Sequence, residues 1–84
     1  MMIKFLPQGW DDYRYWQQTD KVILRKVNQL IRDIQRNLFT GLGKPEPLKY
    51  GFSEGWSRRI TDEHRLVYGI EGDTLVILQC RFHY

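Results

Sequence analysis

Polar and apolar positions divide the chain into a helix-patterned first half and a strand-patterned second half. Met2-Ile3-Lys4-Phe5-Leu6 is short, apolar and closed by Pro7, and predicts a first strand. Trp10, Tyr13 and Trp16 then recur at a spacing of three, which predicts one side of a short helix through Asp11–Gln18. The acidic pair Asp11-Asp12 falls in its expected first turn, where it suits the helix dipole. A second, longer helix is predicted from about Lys21 to Arg36, with Thr19-Asp20 as its N-cap. Ile23, Val27, Leu30, Ile34 and Leu38 step by four, three, four and four, the pattern of one buried face that Leu24 and Ile31 widen. Glycines and prolines from Gly41 to Pro47 exclude a regular element there and predict a loop through Lys49, after which Tyr50–Ser53 reads as extended. Three further strands follow: Trp56–Thr61, His64–Ile70, and Thr74 to Cys80, with turns at Asp62-Glu63 and Glu71-Gly72-Asp73. The expected fold is α+β: two N-terminal helices packed on a largely antiparallel, twisted sheet of four to five strands.

Length adds that residues 1–84 make one domain. An apolar fraction of 42%, rich in aromatic rings, is enough for a small packed core. The lone Cys80 has no partner for an internal disulfide, and its apolar strand predicts a buried, inert thiol in a reducing compartment. With neither a membrane span nor a signal-peptide core in the sequence, a cytoplasmic protein is expected. The net charge of +3 lies in the first half, where residues 1–43 carry seven Lys/Arg against four Asp/Glu. Most of that excess falls on the second helix, at Lys21, Arg25, Lys26, Arg32 and Arg36. The plain reading is a solvated helix back; the sharper one is a surface that docks on nucleic-acid phosphates.

Candidate chemistry gathers where charges sit awkwardly. Arg58, Arg59, Arg65 and Arg81 fall in strand interiors, which requires one wet face of the sheet. A hairpin around Asp62-Glu63 sets Arg59 opposite Arg65, a repulsive pair that needs a bound anion or a carboxylate. Glu46 is the candidate carboxylate: proline on both sides confines its backbone. His83 follows the last apolar strand and is expected to be held by the sheet. Carboxylate, arginines and histidine are the groups needed to cleave RNA by acid–base catalysis. No His, Cys or acidic cluster has metal-ligand spacing, so no metal and no cofactor is expected. His64, beside Asp62 and Glu63, reads as a solvated or locally paired imidazole rather than a catalytic one. The strand register is open: a two-residue Gly72-Asp73 turn sends His83 and Arg65 to opposite faces. A three-residue turn, or a bulge near Arg81, brings them to one face.

Trp10-Asp11-Asp12-Tyr13, Gly43-Lys44-Pro45-Glu46-Pro47-Leu48-Lys49, Trp56-Ser57-Arg58-Arg59-Ile60, Glu63-His64-Arg65-Leu66-Val67-Tyr68 and Cys80-Arg81-Phe82-His83-Tyr84 together resemble the YoeB (Txe/YoeB) toxins of the RelE/ParE superfamily. The resemblance spans the chain and implies a RelE-like, microbial-ribonuclease-like fold. It implies an mRNA interferase that cleaves messages in the ribosomal A site and leaves a 2′,3′-cyclic phosphate. It casts Glu46 as general base, His83 as general acid and Arg65 as the stabiliser of the phosphorane. Lys49 and Arg59 would hold the phosphate, and Tyr84 would contact a base. The implied partners are a YefM-like antitoxin of the Phd/YefM group, the 70S ribosome and mRNA. Operator DNA is implied only for the toxin–antitoxin complex, and a homodimer is compatible. Two rivals share the architecture: a ParE-like topoisomerase inhibitor without a nuclease site, and a non-catalytic RNA-binding module.

Overall fold

In the computed structural model, which describes residues 1–49 and 54–83, two helices cover one face of a five-stranded mixed sheet. The elements in chain order are β1 (Met2–Phe5), α1 (Pro7–Thr19), α2 (Lys21–Arg36), β2 (Glu46–Pro47), β3 (Trp56–Arg59), β4 (Arg65–Glu71) and β5 (Thr74–Gln79). Their spatial order is β1-β5-β4-β3-β2. Only the β1–β5 pair is parallel, because both helices intervene between those strands; the other pairs are antiparallel. The expected α+β architecture is borne out. The extended run expected at Tyr50–Ser53 lies outside the described residues.

Alternation along the strands sorts the two faces. Leu66 and Tyr68 of β4, with Leu75 and Ile77 of β5, turn to the helices and join Trp16, Val27, Leu30, Ile31 and Ile34 in the core. Asp20 caps α2 as expected, accepting from the Val22 and Ile23 amides. The register places Glu46, Ser57, Arg59, Arg65 and Val67 together on the face away from α2. Gly9 lets α1 lie directly on β5, since a Cβ there would come within 2.5 Å of the Ile77 carbonyl.

Three expectations need correction. Helix α1 begins at Pro7, several residues before the predicted start, because proline's preset φ suits the first helical position. Asp11 and Asp12 therefore lie beyond the first turn. Instead of answering the dipole, Asp12 is buried and accepts from the Cys80 amide at 3.0 Å and from Gln8 at 2.9 Å. The Pro-Glu-Pro segment is not purely loop: Glu46–Pro47 forms a short edge strand on β3, where proline's missing donor faces no partner strand.

The third correction concerns Arg58, which the sequence places on a wet face. It is 0% exposed and points toward the helices, opposite Leu66. Its guanidinium pairs with Asp33 and donates to the carbonyls of Asn37 (2.6 Å), Thr40 (2.8 Å) and Leu42 (3.1 Å). Its Nε donates to the Tyr68 hydroxyl, which in turn donates to the Leu38 carbonyl at 2.6 Å. The segment after α2 is thus wrapped around one arginine. The Leu42 amide and the Arg58 guanidinium hold the Asp33 carboxyl below the usual carboxylate range.

Cys80 is fully buried, as its strand predicts. Burial, and secondarily the Asp12 charge, pushes its thiol up to about 12. A native sample at about pH 8 is therefore expected to resist iodoacetamide, and to be alkylated once urea exposes a thiol of ordinary pKa near 8.5. Equal alkylation of native and unfolded protein, read by intact mass, would refute this. Since the neutral thiol is the form the fold favours, its stabilising contribution is complete below the ordinary thiol range. It is lost as pH climbs from there toward about 12.

Candidate active site

The site is assembled where the loop after α2 meets β3. Gly43, at φ 80°, takes the left-handed conformation that brings the loop against β3, and its carbonyl accepts the Arg59 amide at 2.6 Å. Lys44 and the β2 edge strand follow at once, so Glu46 falls opposite Ser57. One register step along, Arg59 stands opposite Arg65, the juxtaposition expected from sequence. Lys44, Glu46, Ser57, Arg59 and Arg65 line a polar cleft of about 50 Å³. Three cations against one carboxylate make it a place for an anion.

The arginine pair is not neutralised by Glu46, as had been anticipated; among the described residues, Glu46 makes no ion pair. Arg65 is instead steered by backbone oxygens: its Nη1 donates to the carbonyls of Thr61 (2.6 Å), His64 (3.1 Å) and Asp62 (3.2 Å). Among the described residues, the one carboxylate Arg59 approaches is that of Asp62, at 3.9 Å, and that group is 99% exposed. Such a pair contributes little in water. Positive charge is therefore left over in the cleft, available to a phosphate.

His83 reaches this neighbourhood by an irregular route. The β4–β5 turn has two residues, with Glu71 paired to Thr74, which by itself would put His83 on the wrong face. A bulge corrects the register: Val67 pairs with Gln79 while Tyr68 pairs with Ile77, so Leu78 is supernumerary. Phe82 then turns left-handed at φ 62°. Imidazole Nε2 of His83 ends 3.2 Å from the Asp62 carbonyl, the same oxygen that receives Arg65. His83 thus sits beside Arg65, lining an adjoining hollow with Gln8, Asp12, Gln79, Arg81 and Phe82. Contact with Glu46 is absent among the described residues.

Of the residues singled out in the sequence, Glu46, Arg59 and Arg65 line one cleft and His83 adjoins it. Lys49 is exposed and does not line the cleft; Tyr84 lies outside the described residues. Two lining residues escaped the sequence reading. Ser57 carries the signal of period-two alternation with Arg59, and Lys44 that of standing two residues from Glu46 in the same constrained segment.

Two helices on one face of a mixed five-stranded sheet, with a cationic cleft on the other, define a RelE-like α+β domain. The chain belongs to the YoeB family of toxins of bacterial type II toxin–antitoxin systems, whose family model matches residues 5–84. Toxin YoeB of Escherichia coli K12 is 56% identical over 84 residues, covering 100% of both chains. The solved YoeB/ParE toxin from Agrobacterium tumefaciens is 51% identical and superposes with a TM-score of 0.96 over 100% of both chains. Staphylococcus aureus YoeB, solved as a dimer, is 45% identical and covers 100% of this chain and 98% of its own, with a TM-score of 0.93. A Staphylococcus aureus YoeB has also been solved in a heterotetrameric YoeB–YefM complex (45%, TM-score 0.90, the same coverage).

Proposed function

We propose that this toxin is a ribosome-dependent, metal-independent endoribonuclease that cleaves mRNA in the A site by general acid–base catalysis. The observation that carries the reading is the cleft itself: Glu46 among Lys44, Arg59 and Arg65, with His83 on the carbonyl that also holds Arg65. Glu46 takes the proton of a ribose 2′-OH, and the resulting oxygen attacks the adjacent phosphorus. Negative charge builds on the non-bridging oxygens and is met by Arg65, with Arg59 and Lys44 beside it. The P–O5′ bond breaks, imidazolium His83 gives its proton to the departing oxygen, and a 2′,3′-cyclic phosphate and a 5′-hydroxyl result. Lys49 and Tyr84 are assigned to phosphate and base on the family resemblance. Arg65 is well suited to its part because three backbone carbonyls aim it before substrate arrives.

The partner in this reading is a YefM-like antitoxin, as the Staphylococcus aureus YoeB–YefM complex suggests, and the cationic cleft is the surface we assign to it. The exposed back of α2, with Lys21, Arg25, Arg32 and Arg36, is the surface for ribosomal RNA. Primer extension on a translated message tests the proposal. Codon-phased cuts are expected with the wild type and none with Glu46→Ala. An intact message alongside topoisomerase poisoning would favour the inhibitor reading. Growth arrest undiminished by Glu46→Ala would favour a non-catalytic RNA-binding module.

A further inference from the structure

The segment Cys80–His83 follows the sheet as a hook, and nearly every backbone group in it is held. Asp12 and Trp16 of α1 take the Cys80 amide (3.0 Å) and carbonyl (2.8 Å). The Arg81 guanidinium lies 3.6 Å from the Tyr15 ring centroid and 4.5 Å from that of Phe82. The Arg65 amide donates to the Phe82 carbonyl at 3.0 Å. Gln79 Nε2 donates to the carbonyls on either side of Phe82, those of Arg81 (3.3 Å) and His83 (3.0 Å), and the Phe82 amide itself donates to Nδ1 of His64 at 2.8 Å. Phe82 is the residue that most needs holding, because its φ of 62° is one that a bulky side chain seldom adopts. Side-chain burial does not hold it, since Phe82 is 57% exposed.

We propose that His64 is a positioning residue, which as the neutral imidazole protonated on Nε2 pins the turn that presents His83 to the cleft. This rests on the reading of His83 as the general acid. The chemistry fixes the protonation state: a backbone N–H only donates, so Nδ1 must offer a lone pair. Besides a tilted contact with the Phe82 ring, centroids 5.7 Å apart, the ring is placed by contacts outside the hook. It packs edge-on against Trp16, with centroids 4.8 Å apart, and its backbone is locked into the Thr61 turn through Thr61 Oγ1 and the Ile60 amide. Protonation would set two donors face to face and release Phe82. The charged groups on the elements around the ring are Asp12 of α1, Asp62 and Glu63 of the turn, Arg65 of β4, and Arg81 and His83 of the hook itself.

The test uses the full chain, labelled with nitrogen-15. At mildly alkaline pH His64 is expected to show an unprotonated Nδ1 and Phe82 an exchange-protected amide, both lost together on acidification. His64→Asn places an acceptor oxygen near the Nδ1 position without a titrating group. It should keep the Phe82 amide protected throughout and preserve cleavage. His64→Phe keeps the ring packing but removes the acceptor. It should free the Phe82 amide at every pH and lower kcat by on the order of 10- to 100-fold, with KM unchanged. A protected Phe82 amide in His64→Phe, or a wild-type His64 that carries its proton on Nδ1 at mildly alkaline pH, would overturn the proposal. A freed amide with undiminished cleavage would also overturn it where His83→Gln still loses cleavage; if His83→Gln cleaves normally as well, the role given to His83 is what fails.

Discussion

Replacing His83 with glutamine is expected to lower single-turnover cleavage by roughly 10²- to 10⁴-fold, the usual contribution of a positioned proton donor. The side chain is exposed, and among the described residues its hydrogen-bond contact is the Asp62 carbonyl. Stability should therefore stay within about 0.5 kcal/mol of the wild type, as for other surface substitutions. Proton delivery is needed only as the P–O5′ bond breaks, so the loss belongs in kcat rather than KM. A substrate with sulfur in place of the 5′-oxygen checks the assignment. A thiolate leaves without a proton, so it should restore His83→Gln while leaving Glu46→Ala inactive. Equal loss of His83→Gln on both substrates would show that the imidazole does something other than protonate the leaving group.

The largest expected effect on stability is that of Arg58→Met. The substituted side chain fills similar space but offers no donor to Asp33, to three backbone carbonyls or to the Tyr68 hydroxyl. Breaking a fully buried ion pair from one side costs about 3–5 kcal/mol, and this pair, with Arg58 buried but Asp33 partly exposed, should fall toward the lower end while the orphaned carbonyls add to it. That is a large share of the roughly 5–15 kcal/mol that holds an ordinary domain together. Arg58→Lys should recover only part of it, since one ammonium cannot reach partners spread across a planar fork. The pH dependence follows from Asp33, whose folded carboxyl is held below its unfolded value. The stabilisation it contributes is present above the ordinary carboxylate range and is lost as pH falls through the lowered folded value. Urea unfolding across that range should show this acid-dependent loss in the wild type and a reduced one in Arg58→Met, where the Leu42 amide still holds the carboxyl down. A Met variant within about 1 kcal/mol of the wild type at neutral pH would refute the role given to this arginine.

The same cluster shows where sequence reading stops. Arg58 and Arg59 are adjacent and chemically identical, yet one organises the core and the other faces the cleft. Alternation predicts that they diverge but not which one goes inward. That depends on a carboxylate 25 residues away being there to receive Arg58. Helix α2 needed no such help, because its cap and its apolar stripe are local features with one compatible period. Asp12 reads locally as a dipole-compatible surface acid, and only the arrival of Cys80, 68 residues on, makes it a buried acceptor.

By itself the sequence determined the α+β class, the extent of α2, the three-stranded antiparallel run and the resemblance that names the family. It also marked Glu46, Arg59, Arg65 and His83 as the residues with unusual settings. All of these follow from local pattern: period, caps, turn residues and short motifs. What only the tertiary structure decided is how those residues meet. The bulge at Leu78 changes the pairing by one residue, and a one-residue change inverts which side chains face the cleft. The left-handed turn at Phe82 then carries His83 to the Asp62 carbonyl beside Arg65, and His64 holds that turn from another strand. Such contacts join residues far apart in the chain, so no window of sequence contains the energies that select them.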